Sequence, residues 1–502
     1  MPGRVLVVSY NFPPLGGVGI QRTLKYATYL PRWGWEPVVL TARNPGAALV
    51  DKDTARQIPA DLQVERAFCP EPVKLRHAFG GAVRRVMGHR RDAAATDQGG
   101  VPVAGRGAGS SGAGRGPLRS VTARLGPAWA AAMRLTFFPD EQVVWVPFAE
   151  RLGRAVHRLT PVDAVYSTSA PISSHLAAAL IARRTGLPWI ADFRDPWIGN
   201  AYTTPPRGLH GYLQRRIERR IVERADVLVF ASEGFMEGYA ERYPWAARKM
   251  RTIPNGYDKN DLSVAAGVRL VAAGVRPVAA GVRPVAAGVQ PVAAGVQPVA
   301  AGVRPRAAGH RFRIVFGGSI YGERELEIFL DGLELLVARR PEVRERLEVE
   351  FIGWLNLHNQ TVAARYMTQD RLGSIVTFTG FMPHREALAR MAAADALLQL
   401  VADGPNKAGH QGGKLLEYLG LDRQILAVVP EGKARQLLRD LDWGVLADPT
   451  PAGVADGVER LLSSPAPDRP ADPAGRYDRV NLAGELATLL DHVKLRKPRP
   501  QS

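Results

Sequence analysis

Short apolar runs alternate with longer amphipathic stretches from the amino terminus onward. Arg4–Ser9 (RVLVVS) is apolar and β-branched, the pattern of a strand buried on both faces. The loop NFPPLGGVGIQR follows, then helical spacing over Thr23–Trp33 and a second strand at Pro37–Leu40. The pattern resumes with strands at Ala164–Ser167, Trp189–Asp192, Val227–Ala231 and Arg251–Pro254. Helices are predicted between them at Ser173–Thr185 and Leu209–Ala225. It begins again at Phe312–Phe316, with a helix from Arg324 to Arg339 and strands at Leu347–Ile352, Ile375–Thr379, Ala396–Leu400, Ile425–Val429 and Val445–Leu446. Helices at Arg385–Ala393 and Gly412–Leu419 complete this second set. Strand, glycine loop, helix, strand, run through twice, predicts two Rossmann-like, doubly wound α/β domains facing across a cleft. The predicted divisions are 1–260, a linker at 264–305, a second domain at 310–465, and a C-terminal helix with a basic tail at 466–502.

The linker is a seven-residue unit, VAAGVRP or a variant differing only at its last two positions, present in six copies from Val264 to Pro305. A period of seven fits a coiled-coil seam. The Gly in every unit and the Pro ending most of them oppose it. An interior Pro costs a helix about 3 kcal/mol and an interior Gly about 1 kcal/mol. Solenoid repeats are several times longer. The expected state is an extended linker, an insertion at a domain junction rather than the seat of function. A second Gly/Ser/Arg-rich insertion is expected over 88–117.

Composition changes this picture only through charge. The 502 residues are 46% hydrophobic, ordinary for a globular protein, and carry a net charge of +18. That excess implies an acidic partner. Basic runs at 76–91 and 212–224 suit helices with a cationic face, either solvated or lying on an anionic membrane. No zinc-finger spacing or RNP pattern stands out, so no nucleic-acid partner is expected. Cys69 is the single cysteine, which excludes an internal disulfide and a thiolate metal cluster. The start MPGRVLVVSYNFPP lacks a long apolar region, and no run of 18 apolar residues follows. The expected location is the cytoplasm, with peripheral contact on the inner face of the membrane as an option.

Four loops carry candidate chemistry at strand carboxyl ends. In Asn11–Arg22, Gly16 and Gly17 permit close backbone approach, and a helix amino terminus follows. This is an incomplete dinucleotide fingerprint. Arg22 stands where its third glycine would be, and the second strand ends in Thr41–Ala42–Arg43, without a ribose-gripping acid. That weighs against a dinucleotide-dependent enzyme. Ala191–Trp197 (ADFRDPW) sets carboxylates and a guanidinium after a strand; it reads equally as a salt-bridged loop. Gly317–Glu325 (GGSIYGERE) is a glycine turn carrying Arg324. Gly409–Gly420 (GHQGGKLLEYLG) puts Lys414 and Glu417 on one helix face, suited to a phosphate and a sugar hydroxyl pair or to a plain ion pair. His175 is expected to be a helix residue rather than a catalytic one. Asp51–Lys52–Asp53 and Asp440–Leu441–Asp442 match a metal-binding Asp-x-Asp string, but neither lies in a suitable context.

In order along the chain, YNFPPLGGVGIQR, ADFRDPW, VFASEGF, IPNGYD, FGGSIYGERE, VTFTGFMPHREALARMAAADALL and GKLLEYLG cover most of 4–43 and 160–430. With them the chain resembles the retaining glycosyltransferases of family 4, which have the glycosyltransferase-B fold. The resemblance implies transfer of a sugar from a nucleotide-diphosphate sugar to an acceptor, with no metal and no other cofactor. It implies an acceptor-side N-terminal domain and a donor-binding C-terminal one. Arg324 and Lys414 would hold the diphosphate, with Asp195 near the reacting centre. Gly17, Gly317, Gly318, Ser319, His410, Leu415 and Leu416 would line the donor site. Glu417 would take the ribose, and Gly380, Phe381 and Met382 the base. Asn11, Phe12, Arg194 and Trp197 would lie on the acceptor side. Two positions depart from the family pattern: Gly409 replaces a common Glu, and Arg194 a common His. A non-catalytic sugar-nucleotide-binding relative is the alternative.

Overall fold

The computed structural model describes residues 2–16, 18–43, 51–70, 138–200, 207–262, 311–320, 322, 324–401, 413–464 and 468–496. The expected insertion at 88–117, the repeat at 264–305, the basic run at 76–91, and Gly17, Gly409 and His410 lie outside them.

Seven strands form the first sheet: β1 (Gly3–Val8), β2 (Trp35–Ala42), β3 (Gln63–Ala67), β4 (Ala164–Ser169), β5 (Trp189–Phe193), β6 (Val227–Phe230) and β7 (Met250–Thr252). They are parallel, in the order β3-β2-β1-β4-β5-β6-β7. Helices α1 (Val18–Tyr29), α2 (Lys52–Arg56), α3 (Val146–Leu159), α4 (Ser173–Thr185), α5 (Gly208–Arg224) and α6 (Glu233–Arg242) accompany it. Strand side chains alternate between faces. Leu6 and Val8 therefore join one core with α3 and α4, while Val5 and Val7 join the other with α1. Both faces are covered, so the strands read as continuous apolar runs.

The second sheet contains β8 (Phe312–Gly317), β9 (Leu347–Ile352), β10 (Val376–Gly380), β11 (Ala396–Leu400), β12 (Gln424–Val428) and β13 (Val445–Ala447). Its order is β10-β9-β8-β11-β12-β13, again parallel. Around it lie α7 (Glu325–Arg339), α8 (Val343–Arg346), α9 (Leu357–Tyr366), α10 (His384–Ala392), α11 (Gly413–Gly420), α12 (Lys433–Asp440) and α13 (Pro451–Ser463). Both sheets reverse their winding beside their first strand, between β1 and β4 and between β8 and β11. Crevices at such reversal points bind ligands in open α/β folds.

The last helix, α14 (Arg479–Arg496), leaves the second sheet and returns to the first. Its Leu482, Leu486, Leu490 and Val493 pack with Val5, Val7 and Leu24. The two chain crossings between the units run side by side. Tyr257 pairs with Asp478, its amide donates to Tyr477 O at 3.0 Å, and Arg479 N donates to Tyr257 O at 2.9 Å. Gly256 is required there, because a Cβ would stand 2.2 Å from Tyr477 O. A second tie is the Lys433 ammonium, 2.6 Å from Glu237 and 3.5 Å from Glu233.

Several expectations shift by local physics. The helix expected from Thr23 starts at Val18, and a 3-10 turn, Leu30–Trp33, replaces its end at Pro31. The edge strand β3 (QVERA) was not anticipated, because it alternates polar residues and pairs only with β2. Among the described residues no helix is long and apolar enough to cross a membrane.

Candidate active site

The reversal point of the second sheet is built on glycines. β8 ends at Gly317, whose amide donates to the buried Tyr418 hydroxyl at 2.9 Å. Gly318 follows at φ 129°, a backbone region that favours glycine. A Cβ on Gly318 would stand 2.0 Å from Lys414 Cε and 2.3 Å from its Nζ. The lysine thus lies directly over the bare backbone. Its ammonium donates to Ser319 O at 3.2 Å and sits 4.3 Å from the centre of the Phe316 ring. Lys414 belongs to the first turn of α11, where helix amides lack internal acceptors. Desolvation pulls its pKa down to about 8, against the attraction of Glu417 and Glu325.

Neighbouring strand ends converge on the same place. Gly318 N donates to Ile352 O at 2.6 Å, and Gly353 N to Gly380 O at 2.8 Å. Gly353 has its own φ of 130° and no room for a Cβ, which would be 2.3 Å from Gly318 O. This seam sets Gly380, the exposed Phe381 and the half-buried Met382 beside the Gly318 turn. Glu417, one helical turn beyond Lys414, lies 3.5 Å from His384 Nε2 just after that segment. Arg324 stands at the start of α7, makes no capping hydrogen bond and is exposed; the adjacent Glu325 acts on Lys414. Gly317, Gly318, Ser319, Lys414, Glu417 and Gly380–Met382 are therefore brought together. Leu415 and Leu416 are not available as side chains, because both are buried in the core beneath α11.

Gly318→Ala should displace the Lys414 side chain and lower donor affinity at least about tenfold. Adding it to Lys414→Ala should cost little more, because both changes remove the same contact. Calorimetric titration of the four proteins checks this, and simple additivity would mean Gly318 acts independently of the lysine.

In the first sheet the two loops expected on the acceptor side are locked to each other. Arg22, in α1, forms a two-pronged ion pair with Asp192 of β5 at 2.7 and 3.2 Å, both side chains buried. Arg22 also donates to Ile253 O and Pro254 O, each at 2.8 Å. The Tyr166 hydroxyl donates to the same carboxylate. Arg22 is therefore a tether rather than a misplaced fingerprint glycine. Arg194 reaches back to Gly19 O at 2.7 Å and to Asp195 at 3.3 Å. Gly19 makes room for it, since a Cβ would meet its Nη1 at 2.1 Å. Asn11 bridges the reversal point, donating to Ala170 O at 3.1 Å. Asp195 is half-exposed.

One acceptor-side expectation changes, at Phe12. Phe12 is 1% exposed and belongs to the core, because its aromatic ring fills the space over Val5 and Val7 rather than a cleft. Trp197 packs against the other core and its amide donates to Tyr239 Oη at 3.3 Å. His175 is a core residue: desolvation pushes its pKa down to about 3, and Nδ1 meets Ser167 Oγ at 2.8 Å. The Arg22–Asp192 pair, Glu218 and Tyr418 were not singled out from the sequence. Their partners lie 170, 20 and 101 residues away, too far for a local pattern to show.

The pattern of the glycosyl transferase 4-like domain family matches residues 16–256. That match, just under half of the chain, likens its N-terminal part to this family. The two-sheet architecture places the whole chain in the glycosyltransferase-B fold. Among solved structures it is similar to Anabaena HepE in complex with UDP, with 12% identity, TM-score 0.51 and 98% of both chains covered. It is similar to a UDP-forming α,α-trehalose-phosphate synthase from Burkholderia vietnamiensis, at 13% identity and TM-score 0.56, over 98% of this chain and 100% of that one. It is also similar to a UDP-GlcNAc 2-epimerase from Methanocaldococcus jannaschii, at 9% identity and TM-score 0.50, over 98% and 99%. No curated protein matches the chain by sequence. The epimerase shows that this fold also carries chemistry other than transfer, so activity must be argued from the site.

Proposed function

We propose that this chain is a metal-independent, retaining glycosyltransferase that moves a hexosyl group from a nucleotide-diphosphate sugar to an acceptor. The observation that carries the reading is the Lys414 ammonium laid over Gly318 at the sheet reversal, in the first turn of α11. A leaving nucleotide diphosphate develops negative charge, and a fixed cation with free helix amides stabilises it without reorganising. Arg324 supplies a second cation. Glu417 accepts from ribose hydroxyls, and Gly380–Met382 receive the base beside it. Gly318 is needed because its missing side chain leaves room for the lysine. Asn11, Arg194 and Asp195 offer polar groups toward the acceptor, which we place among polysaccharide or glycolipid precursors.

The test is nucleotide-diphosphate release across a panel of sugar nucleotides, with and without chelator. Release with one donor, unaffected by chelator, is the expected result. Binding of a donor with no release, even when a panel of acceptors is added, would assign the chain to non-catalytic sugar-nucleotide binding.

A pH dependence follows from Lys414. Desolvation holds its pKa near 8, so in the unliganded protein the ammonium prevails below that pH and the neutral amine above it. Donor affinity should fall as pH rises through about 8, by up to tenfold per unit once the amine prevails. Calorimetry from about pH 6.5 to 9.5 should show this fall in wild type and none in Lys414→Ala. A flat wild-type profile would remove the ammonium from the diphosphate site.

A further inference from the structure

The inner side of helix α5 is ordinary. Ile221 and Val222 pack on the sheet, and Glu218 is fully buried. The outer side is not. Arg207, at the helix start, and Arg215, Arg216, Arg219, Arg220 and Arg224 are all exposed. The single exposed acid is Glu223, held by Arg219 at 2.7 Å. Tyr212, Arg215, Arg216, Arg219, Arg220 and Glu223 line one surface groove. Arginines at spacing four repel each other along a helix, at about 0.2–0.5 kcal/mol per pair. The face therefore weakens the helix it sits on and adds no packing in return. Such a face makes sense only against an anionic partner.

Exposed apolar side chains identify the partner. Leu209 is 62% exposed and Tyr212 51%, both at the amino end of α5. Trp245, 48% exposed, lies past the carboxyl end, where the Lys249 ammonium is 5.8 Å from its ring and donates to Glu223 O and Ala225 O. The 17-residue helix is about 25 Å long. A nucleic-acid backbone has no use for an exposed leucine. The headgroup layer of a membrane takes arginines, tyrosine, tryptophan and leucine together, the cations at phosphates and the apolar groups just below.

We propose that the outward face of α5 docks this chain on an anionic lipid surface. The docking does not depend on the transfer reaction. It does have a structural consequence inside the protein. Glu218, on the opposite side of the same helix, accepts from the Ile198 amide at 3.2 Å, from Tyr239 at 2.8 Å, from Tyr243 at 3.0 Å and from Arg242 at 2.6 Å. Arg242 in turn donates to Ile198 O at 3.1 Å. The docked helix is thereby joined rigidly to the segment that follows Arg194, Asp195 and Trp197. A lipid surface under α5 would hold that segment at a fixed height above it.

The experiment is co-sedimentation of the full chain with vesicles of phosphatidylcholine containing about 30% phosphatidylglycerol, at about 150 mM salt, a Debye length near 8 Å. No sugar donor is needed. Wild type should bind these vesicles and bind pure phosphatidylcholine far more weakly. The triple change Arg215→Glu, Arg216→Glu, Arg220→Glu should lower partitioning at least about tenfold, since each cation near the surface contributes several-fold. A second triple, Arg158→Glu, Arg346→Glu, Arg385→Glu, makes the same charge change at scattered exposed sites and should bind nearly as wild type. Leu209→Ser with Tyr212→Ser, which leaves every charge in place, should also weaken binding. Unchanged circular dichroism in each variant verifies folding. Vesicle binding that survives the α5 triple, or falls equally in the scattered one, overturns the proposal. So does duplex DNA or RNA binding that is lost in the α5 triple while vesicle binding is unaffected.

Discussion

Lys414→Ala should reduce nucleotide-diphosphate release by about 10²–10³-fold, the cost of removing one preorganised group at a site of developing charge. The size follows from how the lysine is held. Its side chain runs over Gly318, its ammonium reaches Ser319 O, and Phe316 lies behind it. Water does not replace it easily in that position, and no rearrangement is needed as charge accumulates. Lys414→Arg should not restore activity. A guanidinium is planar and broad, and Cε already sits 2.0 Å from where a Gly318 Cβ would be. Rates are to be compared at saturating donor, to separate loss of binding from loss of catalysis. An alanine variant within threefold of wild type under those conditions would place the diphosphate elsewhere.

The second large effect is on stability. Either Arg22→Ala or Asp192→Ala should destabilise the first domain by about 3–5 kcal/mol, because each leaves its partner charged and buried. Relative exposures of 5% and 0% leave no water to compensate. Arg22 keeps two carbonyl acceptors, at Ile253 and Pro254, so losing Asp192 is the milder change. Losing Arg22 leaves the carboxylate, among the described residues, with the Tyr166 hydroxyl alone. Replacing both, as Arg22→Met with Asp192→Leu, should cost less than the two single changes together. Urea unfolding followed by tryptophan fluorescence reads this, since Trp189 opens the same strand as Asp192. Single variants that each lose under about 1 kcal/mol would show the pair to be solvated in practice.

The pair matters beyond stability. It ties the first-loop helix to the strand carrying the ADFRDPW segment, and Arg194 adds a second tie at Gly19. Two motifs that read in sequence as separate ligand loops are one unit in space. A change in either is then felt in both, and an altered Asn11 position would follow from losing Arg22.

Much of the fold was legible in sequence because burial on both faces leaves a plain record. RVLVVS, AVYS and VLVF contain almost nothing but apolar and β-branched residues, and each became a parallel strand. Glycines at 317, 318 and 380 marked strand ends for the same reason: a side chain there would collide or strain. The short, charged helix α12 and the polar strand β3 left weaker records, because at the edge of a sheet only one side needs apolar residues. Sequence alone therefore determined the two α/β units, the glycine turns, and the residue types gathered near the second sheet's reversal. It could not determine which of those side chains face a ligand. Phe12, Leu415 and Leu416 stand beside site residues in the chain yet point into cores. Nor could it join Arg22 to Asp192, Lys414 to Gly318, or α14 to the first sheet. Those contacts span 96 to over 400 residues. Periodicity records which face of an element is buried, while its partner is chosen by packing of the whole chain.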